Sequence, residues 1–348
     1  MRVALCTRSF RPEIGGLGTV SHAYALGLLE LGCQPRVVTS TPPAPEGYDG
    51  QFPYPVVRQP GYREFRRVLR DSDCVVFIHQ SLVYVLWSLF VGKPVVSSIQ
   101  GRIWNWGSAF NAFFSIFCEM HLRFRPHAVL VSDAIRSPAT RRAPVIGNPY
   151  DADVFHQTPA ATTPNSIIFS GRLNRGKGVF HLVEAAKILR GRGLEFALTF
   201  VGSGPHEAEL RDAVVAADLG ERTRFVGHCE PPRVAELLTQ HPIAAIPSDW
   251  DEPFGIVALE AIACGCYVVA FPDGGLPFAV GDAGVVTGTK SPEALADAIQ
   301  RLLTDEMLRQ RIDGKRAKHL ERFSRKNVAL GLLEVMNSAC RRPSSKSK

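Results

Sequence analysis

The chain has 348 residues, 45% hydrophobic and 21% charged, a balance that excludes a disordered protein and, at roughly 150 residues per domain, points to two domains. Its 40 Lys and Arg against 33 Asp and Glu leave a net charge of +7, which favours anionic ligands, and the basic residues lack the clustering of a nucleic-acid module, so no nucleic-acid partner is expected. The most apolar run, residues 82–92, is too short to span a bilayer and the N-terminus lacks a signal-peptide core; the expected location is cytoplasmic, with room for peripheral contact at the inner membrane surface.

In chain order, short apolar runs rich in β-branched residues at 3–6, 36–40, 74–79, 94–99, 128–132 and 144–147 read as strands. Val20, Tyr24, Gly27, Leu28 and Leu31 recur at helical spacing, so a strand, a glycine loop and a helix open the chain. Continuously apolar strands alternating with helices predict a parallel sheet covered on both faces. The polar stretch HQTPAATTPN, residues 156–165, has the composition of a linker, and the pattern restarts with strands at 166–170, 196–201, 224–227, 243–247, 267–271 and 284–286. Pro253 is expected in the first turn of a helix that ends at Gly265. Ser291 caps PEALADAIQRLL, and a last amphipathic helix is expected at about 326–338. The resulting division is 1–155, a first domain; 156–322, a second; 323–340, a closing helix; and 341–348, a basic disordered tail. The fold class is α/β, two Rossmann-like parallel-sheet domains.

Ligands of open parallel sheets bind beyond the carboxyl ends of the strands, where several loops here carry chemistry. Gly15, Gly16 and Gly18 follow the first strand, without the spacing of a dinucleotide fingerprint. Gly171, Arg172 and Lys177 in SGRLNRGKG could clamp a diphosphate, although a single Arg or Lys is more often simply solvated. Gly202, Ser203 and Gly204 follow the next strand, and Asp273, Gly274 and Gly275 a later one. DEPFGIVALEAIACG sets Glu252 and Glu260 about a helix start, with backbone N–H groups at Phe254, Gly255 and Ile256 facing whatever anion or hydroxyl lies before it. Glu260, in an apolar helix, needs a polar partner or a shifted pKa; a ribose diol would serve, and an ordinary ion pair is the alternative for either acid. His79, Gln100 and Gly101 end strands of the first half. The aromatic stretch 103–124, with Trp104 beside Arg102, Arg123 and Arg125, reads as core or as an acceptor groove or membrane-surface contact. Neither a serine-nucleophile motif nor metal-ligand spacing of the eight Cys and ten His is present, so no metal is expected.

Taken in order, PEIGGLGTVSHAYALGLLELG, VIGNPYDADVF, SGRLNRGKG, EPFGIVALE and PDGG resemble the retaining nucleotide-sugar glycosyltransferases of family 4, whose GT-B fold sets two Rossmann-like domains across a cleft. The resemblance covers nearly the whole chain. It implies a UDP- or GDP-sugar as co-substrate, no cofactor or metal, and a hydroxyl acceptor on a saccharide, a glycolipid or a small molecule. Arg172 and Lys177 would hold the diphosphate, Glu252 the sugar with Phe254, Gly255 and Ile256, Glu260 the ribose, and Gly16 the phosphates from the other domain; His79, Gln100, Gly101 and Trp104 would line the acceptor side. Gln100 stands where many relatives have a histidine, and glutamine hydrogen-bonds but carries no proton. A catalytically silent nucleotide-sugar binder and a GT-B-type epimerase are the alternatives.

Overall fold

The computed structural model describes residues 1–13, 15–79, 86, 92–102, 109–124, 127–159 and 161–341; Trp104 and Arg125 lie outside them. The chain divides into two compact units, Met1–Pro149 with Phe323–Lys348, and Tyr150–Arg322. The stretch 156–165 belongs to the second unit, where the Thr163 N–H donates to the Gln240 carbonyl at 2.8 Å. In the first unit come β1 (Arg2–Thr7), α1 (Gly16–Glu30), β2 (Gln34–Thr39), β3 (Val56–Arg58), α2 (Tyr62–Asp71), β4 (Cys74–Ile78), β5 (Val95–Ile99), α3 (Ala109–Phe124) and β6 (Ala128–Leu130). The second unit runs β7 (Ser166–Ser170), α4 (Val179–Gly191), β8 (Ala197–Val201), α5 (Glu207–Ala216), β9 (Thr223–Gly227), α6 (Pro231–Gln240), β10 (Ile243–Ile246), α7 (Ile256–Ala263), β11 (Tyr267–Ala270), α8 (Leu276–Val280), β12 (Gly284–Val286), α9 (Pro292–Thr304) and α10 (Glu306–Arg322). The chain then returns to the first unit as α11 (Arg325–Cys340).

Each unit is a doubly wound, wholly parallel sheet. Among the described residues the orders are β3-β2-β1-β4-β5-β6 and β12-β11-β10-β7-β8-β9. These are one topology twice, with strand order reversing between β1 and β4 and between β7 and β10. The strands were legible because helices on both faces leave them almost no polar side: β4 and β5 are buried at every position. In the first unit α1 and α11 cross closely at Gly27, where a Cβ would come within 2.7 Å of the Ala329 Cβ. Glu30 and Arg325 pair across the same contact at 2.7 Å.

Three local expectations are corrected. Residues 144–147 form a single bridge, Val145 to Leu130, because Gly147 at φ 77° turns the chain away after one pair of bonds. β3 was missed; three half-buried residues carry too little pattern. Pro253 does not open α7, which begins at Ile256 after Gly255 in the left-handed region at φ 93°. Gly265, at φ 95°, does end that helix: the N–H groups of Gly265 and Cys266 donate to Ile262 and Ala261, the paired bonds of a left-handed stop.

Candidate active site

The second unit gathers its polar loops at the carboxyl ends of β7, β8, β10 and β11, and backbone packing explains why so many are glycines. A Cβ on Gly202 would sit 2.0 Å from the Gly171 carbonyl oxygen, and one on Gly204 would sit 2.2 Å from that of Leu173. The β8 loop is therefore laid directly on the β7 loop, with the Leu173 N–H donating to the Ser203 carbonyl at 3.0 Å. The β11 loop braces the β10 loop in the same way: Gly274 and Gly275 abut the Glu252 and Pro253 carbonyls, and the Gly275 N–H donates to Glu252 at 2.6 Å. Gly178, at φ 70°, closes the set, since a Cβ there would fall 1.7 Å from the Pro247 carbonyl oxygen. Asn174 caps the short turn Arg175–Lys177 by accepting from the Lys177 N–H at 2.9 Å.

This bracing brings Lys177 and Glu252, 75 residues apart, together at the point where strand order reverses. The Lys177 Nζ lies 2.5 Å from the Glu252 Oε2, and both side chains are mostly buried, at 24% and 14% exposure. Trp250 completes the arrangement. Its indole N–H donates to the same carboxylate oxygen at 2.9 Å, and its ring lies 5.2 Å from the lysine nitrogen. Arg172 differs from both: it is exposed, and its guanidinium has no hydrogen bond or ion pair among the described residues. Arg175, the next cation of the loop, is tied to Glu209 and stacked on Phe180. Beside Arg172, a pocket of about 370 Å3 is lined by Ser170, Gly171, Ser203, His228, Cys229 and Val234.

Glu260 lies on the first turns of α7, and its carboxyl accepts no hydrogen bond among the described residues. Burial pushes its pKa up to about 7, and the nearby Asp151 adds to the rise. Glu260, only partly shielded from solvent, has no ion pair among the described residues. Phe254 is buried with its ring edge-on to Phe278, so it contributes backbone and not side chain to the space before the helix. Trp250 and the pocket residues His228, Cys229 and Val234 were missed from sequence. Trp250, two residues before Glu252 in SDWDEPFG, could have been noticed there.

The first unit places its candidates at the corresponding strand ends. Gly16 begins α1 after β1, and a Cβ on Gly15 or Gly16 would meet nothing within 4 Å. Protein packing does not require glycine at either position. His79 follows β4 at φ 60°, a strained conformation for a residue with a side chain, and burial, with Arg8 nearby, lowers its pKa. Gln100 follows β5 in a fixed network: its amide N–H donates to Ser98 Oγ at 2.9 Å, and its oxygen accepts from Asn148 Nδ2 at 2.8 Å. The Tyr24 hydroxyl lies 3.3 Å from the same Ser98 Oγ. Gly101 follows directly. Among the described residues no cluster of three or more His, Cys, Asp or Glu is arranged to hold a metal ion.

Residues 151–319 match the model of the family described as glycosyl transferases group 1. The chain is 35% identical over 178 residues to the glycogen synthase of Mycobacterium tuberculosis (strain ATCC 25618 / H37Rv), a match covering 50% of this chain and 43% of that one. It is 34% identical over 181 residues to the D-inositol 3-phosphate glycosyltransferase of Corynebacterium glutamicum (strain R), again covering 50% and 43%. The matched part thus spans under half the length of these curated relatives. Over the whole chain the fold is similar to Anabaena Alr3699/HepE in complex with UDP, with a TM-score of 0.82 at 20% identity, covering 97% of this chain and 100% of that one. It is likewise similar to sucrose-phosphate synthase from Thermosynechococcus elongatus, with a TM-score of 0.78 at 20% identity, covering 97% and 98%. Two Rossmann-like units with these neighbours make the fold GT-B, and the part of the chain that carries the glycosyl transferases group 1 match is the second unit, where Lys177 and Glu252 meet.

Proposed function

We propose that the chain is a retaining, metal-independent glycosyltransferase of family 4 that moves a sugar from a UDP- or GDP-type donor to a hydroxyl of a saccharide, glycolipid or small molecule in the cytoplasm. The observation that carries this reading is the Lys177–Glu252 pair at the reversal of strand order, beside the unpaired Arg172. A diphosphate is the ligand these groups suit. Arg172 offers it a planar fork, and Lys177 exchanges Glu252 for a phosphate oxygen, which frees the carboxylate to accept hydrogen bonds from sugar hydroxyls. The N–H groups of Ile256 and Val257 at the start of α7 add donors without a further charge. Glu260 accepts from the ribose, and the pocket beside Arg172 takes the flat base.

In the transfer, the acceptor oxygen bonds to the anomeric carbon on the face from which the donor leaves. The bond from that carbon to the phosphate oxygen breaks, the nucleoside diphosphate departs with the electron pair, and the acceptor proton passes to a phosphate oxygen. Arg172 and Lys177 stabilise the charge that grows on the leaving group, so the chain's contribution is electrostatic. Gly16 lets a backbone N–H approach the phosphates, which gives a reason for glycine where packing gives none. Gln100 positions the sugar, while His79, Gly101 and Trp104 belong to the acceptor side.

The test is release of free nucleotide from a panel of UDP- and GDP-sugars, with and without acceptors, by the wild type, Lys177→Ala and Glu252→Ala. Turnover lost in both variants supports the assignment, and full activity in both overturns it. Donor binding without transfer or hydrolysis would favour the silent binder.

A further inference from the structure

The proposed transfer gives Trp250 no task, yet its indole is bonded to the carboxylate on which that transfer depends. The indole N–H donates to Glu252 Oε2 at 2.9 Å, and the same oxygen takes the Lys177 Nζ at 2.5 Å. Oε1 of Glu252 has no hydrogen bond or ion pair among the described residues. One oxygen is held twice and the other is left open, an arrangement that points a carboxylate in one direction.

The indole is itself fixed by its surroundings. Its ring lies against Gly176, where a Cβ would be 3.5 Å from the Trp250 Cβ and 3.7 Å from its Cγ. Asp249, the residue before it, donates its N–H to the Gly176 carbonyl at 2.8 Å, and its carboxylate is reached by Lys290 at 3.3 Å and by His181 at 3.4 Å. Lys290 in turn bonds Asp273 at 2.6 Å. The loops after β7, β10, β11 and β12 therefore all bear on the position of this one ring. Because 47% of Trp250 remains exposed, what the bracing holds in place is an N–H group and not a core side chain.

Charge decides what that N–H can do. When a diphosphate draws Lys177 away, Glu252 loses its cation, and an unheld carboxylate would follow the lysine and cancel the charge the phosphate needs. The indole N–H is neutral, adds no cation to compete for the phosphate, and stays with Oε2. Its ring, 5.2 Å from the Lys177 Nζ, favours the paired state of the lysine without a formal charge. We propose that Trp250 is a positioning residue: its N–H keeps Oε2 in place as Lys177 passes to the diphosphate, so that Oε1 meets hydroxyls of the transferred sugar. This role rests on the transferase reading, and it separates two duties at one strand end, diphosphate binding by Lys177 and sugar orientation through Trp250.

The experiment compares the full chain with Trp250→Phe and Trp250→His, each first checked for an unchanged thermal unfolding temperature. Measured for each are the binding of UDP and GDP by calorimetry, and kcat and KM for the sugar nucleotide that the wild type turns over. Trp250→Phe keeps a ring beside Lys177 and lacks the N–H. Its affinity for the nucleoside diphosphate should stay close to that of the wild type, while kcat falls about 10–100-fold, the effect of losing one hydrogen bond to a charged group. Histidine sets its Nε2 as many bonds from Cβ as the indole nitrogen, so Trp250→His should recover part of the loss at a pH where the imidazole is neutral. A wild-type kcat in Trp250→Phe, a diphosphate affinity that falls as far as kcat, or a Trp250→His no better than Trp250→Phe would each overturn the role and leave the transferase reading standing. A wild-type chain that turns over no sugar nucleotide would overturn both.

Discussion

The two units have the same strand order but furnish the point of its reversal differently. Between β7 and β10 stand charged groups, a lysine held by a glutamate and an indole, with an unpaired arginine beside them. In the first unit the polar residues at the strand ends carry no ion pair among the described residues: His79, whose pKa burial lowers, and Gln100, held by Ser98 and Asn148. The glycines differ in the same sense. Gly178, Gly202, Gly204, Gly274 and Gly275 of the second unit are demanded by backbone packed on backbone, whereas Gly15 and Gly16 face open space. The topology is shared, then, while the groups at each reversal differ: ionic ones in the second unit, an amide and hydroxyls in the first.

The largest effect that would break this contrast is on turnover. Lys177→Ala should lower kcat/KM about 10²–10³-fold, as removal of one charge-stabilising donor does elsewhere. Because Lys177 and Glu252 touch, the double variant with Glu252→Ala should lose less than the product of the two single losses; a multiplicative loss would show that the pair does not act as a unit.

Next in size, Gly178→Ala should destabilise the chain by roughly 3 kcal/mol, since it adds a clash with Pro247 to a left-handed backbone. Chemical denaturation measures it, and an unchanged midpoint would mean that the loops are not locked together. Gln100→Leu removes both hydrogen bonds of the first-unit network and leaves Asn148 buried without its partner, a loss of about 1–3 kcal/mol by the same measurement.

Glu260 gives a pH signature. Its folded pKa of about 7 lies above the ordinary 4.5, so its contribution to stability is complete below pH 4.5 and is lost as pH rises through 7. Glu260→Gln should flatten the fall of the unfolding temperature across that window. An identical slope in wild type and variant would assign the pH dependence to other groups. The smallest stability effect should come from Gly16→Ala, within about 0.5 kcal/mol, accompanied by a raised KM for donor. If stability falls as much as at Gly178, the distinction between the two sets of glycines fails.

The strands and their terminal loops could be read from sequence because parallel strands buried on both faces appear as unbroken apolar runs, and the loops that follow hold the remaining polar and glycine residues. The start of α7 could not, since Pro253 fits a helix entry and only the left-handed Gly255 moves that entry to Ile256. Nor could the Lys177–Glu252 contact, which depends on loops from β7 and β10 being neighbours although three strands and their helices separate them in sequence. The role of Trp250 depends on that same contact. The arginine row of α2 was visible in YREFRRVLR, but which side is buried follows only from the position of Phe65 on the sheet.

The return of α11 to the first unit has a consequence for synthesis. Its Val328, Leu332 and Met336 are packed in one core with Val3, Leu5, Tyr24 and Leu28, so that core draws on segments from before and after the second unit. A ribosome delivers the whole second unit before it delivers α11. The second unit can therefore complete its fold while the first still exposes the apolar side of α1, and the unit translated first is the last to close.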